Sequence, residues 1–241
     1  MTPASPELPP NCPVVYLPGV DGTGRLLYRQ TRLKAEFALR CVNYPQDDTH
    51  TYADLVALGI RALEESGPGV ILAESFGGAV GLMVALARPD LVRRLVLVNT
   101  FARYPRRLFI DVAGLFGPWL PNRPSHPALR PVRGLFFFGP GIPKADRDAW
   151  WEQTADVPMR VYGHRCRLLR DVDLLPRLSE VKPPAVVYVS DNDWIVPAAA
   201  GRLLAKRLPR AKLIGYPSGH ASFIDPRVDV AAWLHDEKLW P

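Results

Sequence analysis

Cysteine is scarce in this 241-residue chain. Cys12, Cys41 and Cys166 stand far apart, with no Cys-x-x-Cys pair. That spacing excludes a zinc ribbon and a disulfide framework, and predicts reduced thiols in a cytoplasmic setting. Long apolar runs are missing as well. The longest uncharged apolar stretch, residues 76–87, is too short to cross a bilayer, so no transmembrane segment is expected. The proline-rich start, residues 1–13, lacks the apolar core of a secretory signal. Basic blocks are also absent, although Lys and Arg outnumber Asp and Glu by 30 to 24. The excess is scattered, which argues against nucleic acid as a partner and leaves a solvated basic surface or an acidic partner. No Gly-Lys-Ser/Thr follows a glycine loop, and no metal-ligand cluster is visible, so neither cofactor nor metal is expected.

What is present is a globular composition, 48% hydrophobic and 22% charged, in a length that suits one domain with an insertion. Short buried runs at 14–17, 39–44, 70–72, 95–98, 185–189 and 211–216 read as strands. Helical stretches at 26–37, 52–65, 79–87, 165–175, 198–208 and from 228 alternate with them. Such alternation predicts an α/β fold, a mostly parallel sheet with helices on both faces. It breaks at residue 101. From there to 163 proline, arginine and aromatics dominate, with apolar patches at Leu115-Phe116, Leu135-Phe136-Phe137-Phe138 and Trp150-Trp151. This stretch is expected to be an inserted helical cap, residues 101–163, between core halves 1–100 and 164–241. Its aromatics either face a hydrophobic substrate or only pack the cap onto the core.

The chemistry centres on Val70-Ile71-Leu72-Ala73-Glu74-Ser75-Phe76-Gly77-Gly78. A buried strand turns into a helix around a serine, the pattern of a nucleophile elbow. The strained turn demands small residues two before and two after the serine. Gly77 satisfies that need, and Ala73 stands where glycine is usual. A serine nucleophile needs a base and an acid to orient it, in chain order Ser, Asp or Glu, His. The turn after the strand at 185–189 carries Asp191 and Asp193. Asp193, four residues before Pro197, is the preferred acid, and Asp191 is the rival, otherwise a turn-capping carboxylate. Among His50, His126, His164, His220 and His235, only His220 follows a strand in a small-residue turn, Pro217-Ser218-Gly219-His220-Ala221. The oxyanion hole is expected from the backbone N–H groups of Phe76 and of Val20, in the loop Pro18-Gly19-Val20-Asp21-Gly22-Thr23-Gly24.

Ser75, Asp193 and His220 in these settings resemble the α/β-hydrolase superfamily over nearly the whole chain. The loop from Tyr16 to Gly24, with Asp47-Asp48-Thr49 and Glu74-Ser75-Phe76-Gly77-Gly78, resembles the esterase/lipase/thioesterase branch that includes phytyl ester synthases. It is also similar to carboxylesterases of the pimeloyl-carrier-protein methyl ester esterase type. Two departures stand out. Pro18 replaces the histidine common before that glycine, and little chain precedes Val14, so the sheet is expected to have about six strands. The resemblance implies a serine carboxylic-ester hydrolase working through an acyl-enzyme on a small-molecule, acyl or hydrophobic ester. An ester bound to acyl carrier protein is the further candidate. An acyltransferase or thioesterase using the same triad is the alternative, and His220 to Asp225 fits a His-x4-Asp acyltransferase pattern. A non-enzymatic binding protein on the same fold is the third reading. Arg103, Arg106, Arg107, Arg123, Arg130 and Arg133 in the cap are expected to flank the entrance, either steering an acidic carrier or only keeping the insertion soluble.

Overall fold

The computed structural model describes residues 8–9, 11–108, 110–111 and 126–241. Leu115-Phe116 and Arg123 lie outside them. Six strands form one sheet: β1 (Pro13–Leu17), β2 (Ala38–Cys41), β3 (Gly69–Glu74), β4 (Val92–Val98), β5 (Ala185–Ser190) and β6 (Ala211–Tyr216). They lie in the order β2-β1-β3-β4-β5-β6, and every pair is parallel. The helices with described bounds are α1 (Thr31–Glu36), α2 (Tyr52–Ser66), α3 (Phe76–Ala87), α4 (Arg130–Phe137), α5 (Lys144–Gln153), α6 (Met159–Asp171), α7 (Ala198–Arg207) and α8 (Val230–His235).

Strand side chains alternate between two faces, and both faces are dry. Val15, Leu17, Ile71, Ala73, Leu95, Leu97 and Val187 pack with Leu55 and Leu63 of α2, Val80 of α3 and Leu204 of α7. Val14, Tyr16, Val70, Leu72, Val96, Val98 and Val186 pack with Leu33 of α1 and Ala231 and Leu234 of α8. A smaller third cluster joins Leu26, Trp150, Trp151 and Ile224, so α5 rests on the C-terminal edge of the sheet. All six strands therefore deliver their ends to one edge, where ligands bind in open α/β sheets.

The sheet is as expected, but several element bounds differ. Residues 26–37 are not one helix. A short turn of 3₁₀ helix, Arg25–Leu27, is followed by α1 from Thr31. The break falls at Gln30, whose amide donates to the carbonyls of Phe223 (2.9 Å) and Val228 (3.0 Å) and accepts from Val230 N–H (3.0 Å). Its side chain satisfies backbone groups some 200 residues away in sequence, which no local pattern reveals. The second strand ends at Cys41, because Tyr44 N–H leaves the sheet for the Gly22 carbonyl at 2.8 Å. Helix α3 begins at Phe76 rather than 79. Helix α6 starts at Met159 and runs unbroken through residues 163 and 164 to Asp171. Among the described residues, no helix is long and apolar enough to cross a membrane.

The fit between β1 and α3 is tight enough to test. A Cβ on Gly77 would lie 2.3 Å from the Leu17 carbonyl oxygen and 2.5 Å from that of Pro18. Both obstacles are backbone, so β1 itself must shift. Gly77→Ala is expected to lose roughly 1–3 kcal/mol of stability, read as a lowered thermal or urea midpoint. A midpoint equal to wild type would contradict this packing.

Candidate active site

Ser75 joins β3 to α3 at φ 52° and ψ −118°, in the left-handed half of backbone space that a residue with a Cβ rarely adopts. The turn holds because its surroundings leave no other course. A Cβ on Gly78 would lie 2.0 Å from the Thr100 hydroxyl. That hydroxyl donates to the Ser75 carbonyl at 2.6 Å, tying the turn to the end of β4. Ala73 is tolerated where glycine is usual because α3 presents Gly81 opposite it. A Cβ there would come within 3.2 Å of the Ala73 methyl.

Asp193 and His220 converge on Ser75 from the ends of β5 and β6. The Asp193 carboxylate has no exposed side-chain surface. Its Oδ1 accepts from the backbone N–H groups of Ile195 and Val196, both at 2.8 Å, and its Oδ2 lies 2.7 Å from His220 Nδ1. His220 Nε2 lies 3.0 Å from Ser75 Oγ. A carboxylate only accepts, so Nδ1 carries the proton and Nε2 is left to accept the Ser75 hydroxyl. Asp191, the rival acid, is exposed. The other histidines are engaged elsewhere: His50 packs on His164, His126 accepts from Ala128 N–H, and His235 contacts Glu36.

Val20 and Ser75 border the same cleft, together with Gly19, Glu74, Phe137 and Trp150. Its free volume is about 20 Å³, room for about one water. Phe76 N–H is the first of α3, one of the four that no helical carbonyl can satisfy. The Phe76 ring is stacked on Tyr52 at 5.2 Å, which holds the start of the helix.

Residues 14–233 match the family described as the α/β hydrolase family. The chain belongs to that family. A Klebsiella pneumoniae protein named as a carbamate hydrolase, RutD, is 25% identical over 88% of this chain and 86% of its own length. A pimeloyl-[acyl-carrier protein] methyl ester esterase of Aromatoleum aromaticum is 28% identical over 69% of this chain and 72% of its own. Among solved structures, the enol-lactonase from Burkholderia xenovorans LB400 superposes with a TM-score of 0.77 at 19% identity, covering 92% of this chain and 88% of that one. That likeness is one of fold.

Within this α/β hydrolase, several site residues escaped the sequence reading. Asn99, at the end of β4 with φ 48°, donates from its amide to the carbonyls of Gly219 (3.2 Å) and His220 (3.1 Å). Its Oδ1 accepts from Ser190 N–H at 2.9 Å, so one side chain fixes both the acid and the histidine loops. Glu74 is 5% exposed and accepts from the Tyr16 hydroxyl at 2.7 Å. A carboxylate inside an otherwise apolar strand was a visible signal for it. Burial pushes its carboxyl up to about 7, with the Tyr16 hydrogen bond and the His220 charge pulling the other way. For His220, burial lowers the imidazole pKa, but the charge and hydrogen bond of Asp193 outweigh it with help from Glu74, and the net shift is upward.

Asp225, the carboxylate of the His-x4-Asp pattern, faces away from the chemistry. It accepts from the Ser218 hydroxyl at 2.7 Å and from Arg227 N–H, Nε and Nη2 at 3.0, 2.8 and 2.6 Å. Those bonds brace the loop that carries His220. Among the cap arginines, Arg133 lies over Phe137, Trp150 and Tyr162, which line the Ser75 cleft. Arg103 and Arg107 border a separate groove of about 500 Å³ beside Leu108 and Leu203, and Arg106 donates to the Trp194 carbonyl. Arg133 also lies over the Trp151 ring, as does Arg130.

The buried Glu74 carboxyl makes stability depend on pH. Its folded pKa is raised above the ordinary 4.5 to about 7. Its contribution is therefore complete below about 4.5 and is lost as pH rises through 7. Glu74→Gln, which can still accept from Tyr16, should melt higher than wild type at pH 8, with the gap closing towards pH 4.5. A gap that stays constant or widens in acid would contradict this account.

Proposed function

We propose that this α/β hydrolase is a serine carboxylic-ester hydrolase acting through an acyl-enzyme. The observation that carries the reading is the continuous chain from Ser75 Oγ to His220 Nε2 (3.0 Å) and from His220 Nδ1 to Asp193 Oδ2 (2.7 Å). Ser75 Oγ attacks the ester carbonyl as His220 takes its proton, a step in which a positioned base contributes about 10²–10⁴ in rate. The negative oxygen that forms is held by Phe76 N–H and Val20 N–H. Each such donor is worth about 10²–10³. Asp193 stabilises the imidazolium and keeps the ring in its tautomer. Collapse expels the alcohol, which takes the proton from His220. Water then attacks the acyl-Ser75 ester with His220 again as base, and the acid leaves. This chemistry is complete without a cofactor.

In this reading the sheet and its helices, residues 1–100 and 164–241, form the catalytic core, and residues 101–163 serve as its cap. Phe137, Trp150 and Leu26 at the cleft favour an apolar acyl group, and the small free space favours a short one. The substrate class is a small-molecule ester. An ester carried on acyl carrier protein is the second class, supported by the name of the Aromatoleum relative and by Arg103 and Arg107 beside Leu108, which is 76% exposed. A rate that falls with salt on the carrier-bound ester but not on the free one separates the two. Equal salt slopes would leave the free ester. Asp225's engagement with Ser218 and Arg227 speaks against the His-x4-Asp route to acyl transfer.

The direct test is labelling with a fluorophosphonate. Wild type should be labelled and should hydrolyse p-nitrophenyl acetate. Ser75→Ala should do neither while melting as wild type does. Asp193→Asn should cut kcat by about 10⁴, as loss of the orienting carboxylate does in the triad of trypsin, whereas Asp191→Asn should act nearly as wild type. Activity should rise with pH as His220 loses its proton, with a midpoint above the 6.5 of an ordinary imidazole. Labelling of Ser75→Ala, or a larger effect at Asp191 than at Asp193, would refute the assignment.

A further inference from the structure

Arg165 sits on α6, within the segment between β4 and β5, and no part of it is exposed. Burying a guanidinium is costly unless its N–H groups are all turned to use. Here the partners are main-chain oxygens of the loops after β1 and β2. Nη1 donates to the carbonyls of Val20 (2.8 Å) and Asp21 (2.7 Å), and Nη2 donates to that of Pro45 (2.7 Å). Nε points to His50 Nε2 at 3.4 Å, and the cation lies over the Tyr44 ring. Gly22 leaves the space for this approach. At φ 68°, a Cβ there would lie 2.5 Å from Nη1.

The loop held in this way carries the second proposed oxyanion donor. Gly22 N–H donates to the Gly19 carbonyl at 3.1 Å, which closes a tight turn with Val20 and Asp21 at its tip. The Gly19 carbonyl and the Val20 N–H belong to one trans peptide and point in opposite directions. With the carbonyl bonded inside the turn, the Val20 N–H is directed out of it. The next two carbonyls, those of Val20 and Asp21, are both bonded to Arg165, so the peptide planes on the far side of Val20 cannot rotate without breaking charge-assisted bonds. We infer that Arg165 is a positioning residue that fixes the Val20 N–H as an oxyanion donor, and that it does so from a helix outside the sheet.

The inference rests on the ester-hydrolase reading above. It also accounts for the Asp47-Asp48-Thr49-His50 stretch. Asp47 accepts from His50 Nδ1 (3.3 Å), His164 Nε2 donates to the His50 carbonyl (2.6 Å), and Arg160 pairs with Asp48 (3.0 Å). The stretch seats α6 so that Arg165 reaches the turn. A residue that only anchored α6 would affect folding. One that aims a donor affects the transition state more than the bound substrate.

The experiment compares wild type, Arg165→Lys, Val20→Pro and the double variant. For each, the melting temperature, kcat and KM on p-nitrophenyl acetate, and the Ki of a trifluoromethyl ketone are measured. The hemiketal oxyanion of that ketone occupies the hole. Lysine keeps the charge but cannot span three carbonyls. Proline suits the second position of a tight turn while deleting the N–H. Arg165→Lys is expected to fold, to lose about 10- to 100-fold in kcat, to keep KM within about twofold, and to weaken the ketone by the same factor as kcat. It should cost nothing further in the Val20→Pro background. Wild-type kcat and Ki in folded Arg165→Lys, or losses that simply multiply in the double variant, would overturn the inference. If Arg165→Lys does not fold, Arg165→Gln is measured in its place by the same criteria; failure of both to fold would make Arg165 an anchor of α6 and overturn the inference, as would wild-type kcat and Ki in folded Val20→Pro. A wild-type protein that neither turns over the ester nor binds the ketone would overturn the ester-hydrolase reading itself, before any variant is made.

Discussion

The left-handed turn at Ser75 is the constraint on which the rest of the site depends. A serine at φ 52° is strained on its own, and it persists because neighbours on every side exclude alternatives. Gly77 lies against the backbone of Leu17 and Pro18, Gly78 against Thr100, and Gly81 against Ala73. Strand β3 lies between β1 and β4 in the sheet, so its end can shift only if its neighbours shift with it. The turn lifts the hydroxyl to the sheet edge and sets the first N–H groups of α3 beside it. Those two results of one geometry are what a nucleophile and half an oxyanion hole require.

Around that turn, polar side chains work mainly by holding backbone. Asn99 spans the loops of Asp193 and His220, Thr100 holds the Ser75 carbonyl, Asp225 braces the histidine loop, and Arg165 holds the glycine loop. Each is buried, so losing one partner leaves another group unsatisfied at a cost of about 1–3 kcal/mol. Hydrogen bonds of this kind hold reacting groups within the few tenths of an ångström that catalysis needs. Glu74 is the exception, a buried carboxyl whose partner is the Tyr16 hydroxyl rather than main chain.

The parts legible in the sequence were those written locally. Alternating buried runs specify strands, and a strand ending in Ala-Glu-Ser-Phe-Gly-Gly specifies the elbow. Ser75, Asp193 and His220 could be named because each sits at the end of a strand in a short turn. The choice between Asp191 and Asp193 was less local. In space, the N–H groups of Ile195 and Val196 hold the Asp193 carboxylate towards His220, while Asp191 is exposed. Gln30 broke an apparent helix because its partners are about 200 residues distant. Arg165 is given no role by the sequence pattern, since main-chain carbonyls leave no mark in it. Glu74 is legible too, as a carboxylate in an otherwise apolar strand.

In the proposed mechanism Ser75 carries the acyl group during turnover. The most direct measurement is peptide mass analysis of the protein quenched in acid while it hydrolyses p-nitrophenyl acetate. The account predicts a mass gain of one acetyl group on the peptide containing Ser75, seen in wild type and absent from Ser75→Ala. Turnover at the wild-type rate in Ser75→Ala, or an acetyl group found only on another residue, would contradict it.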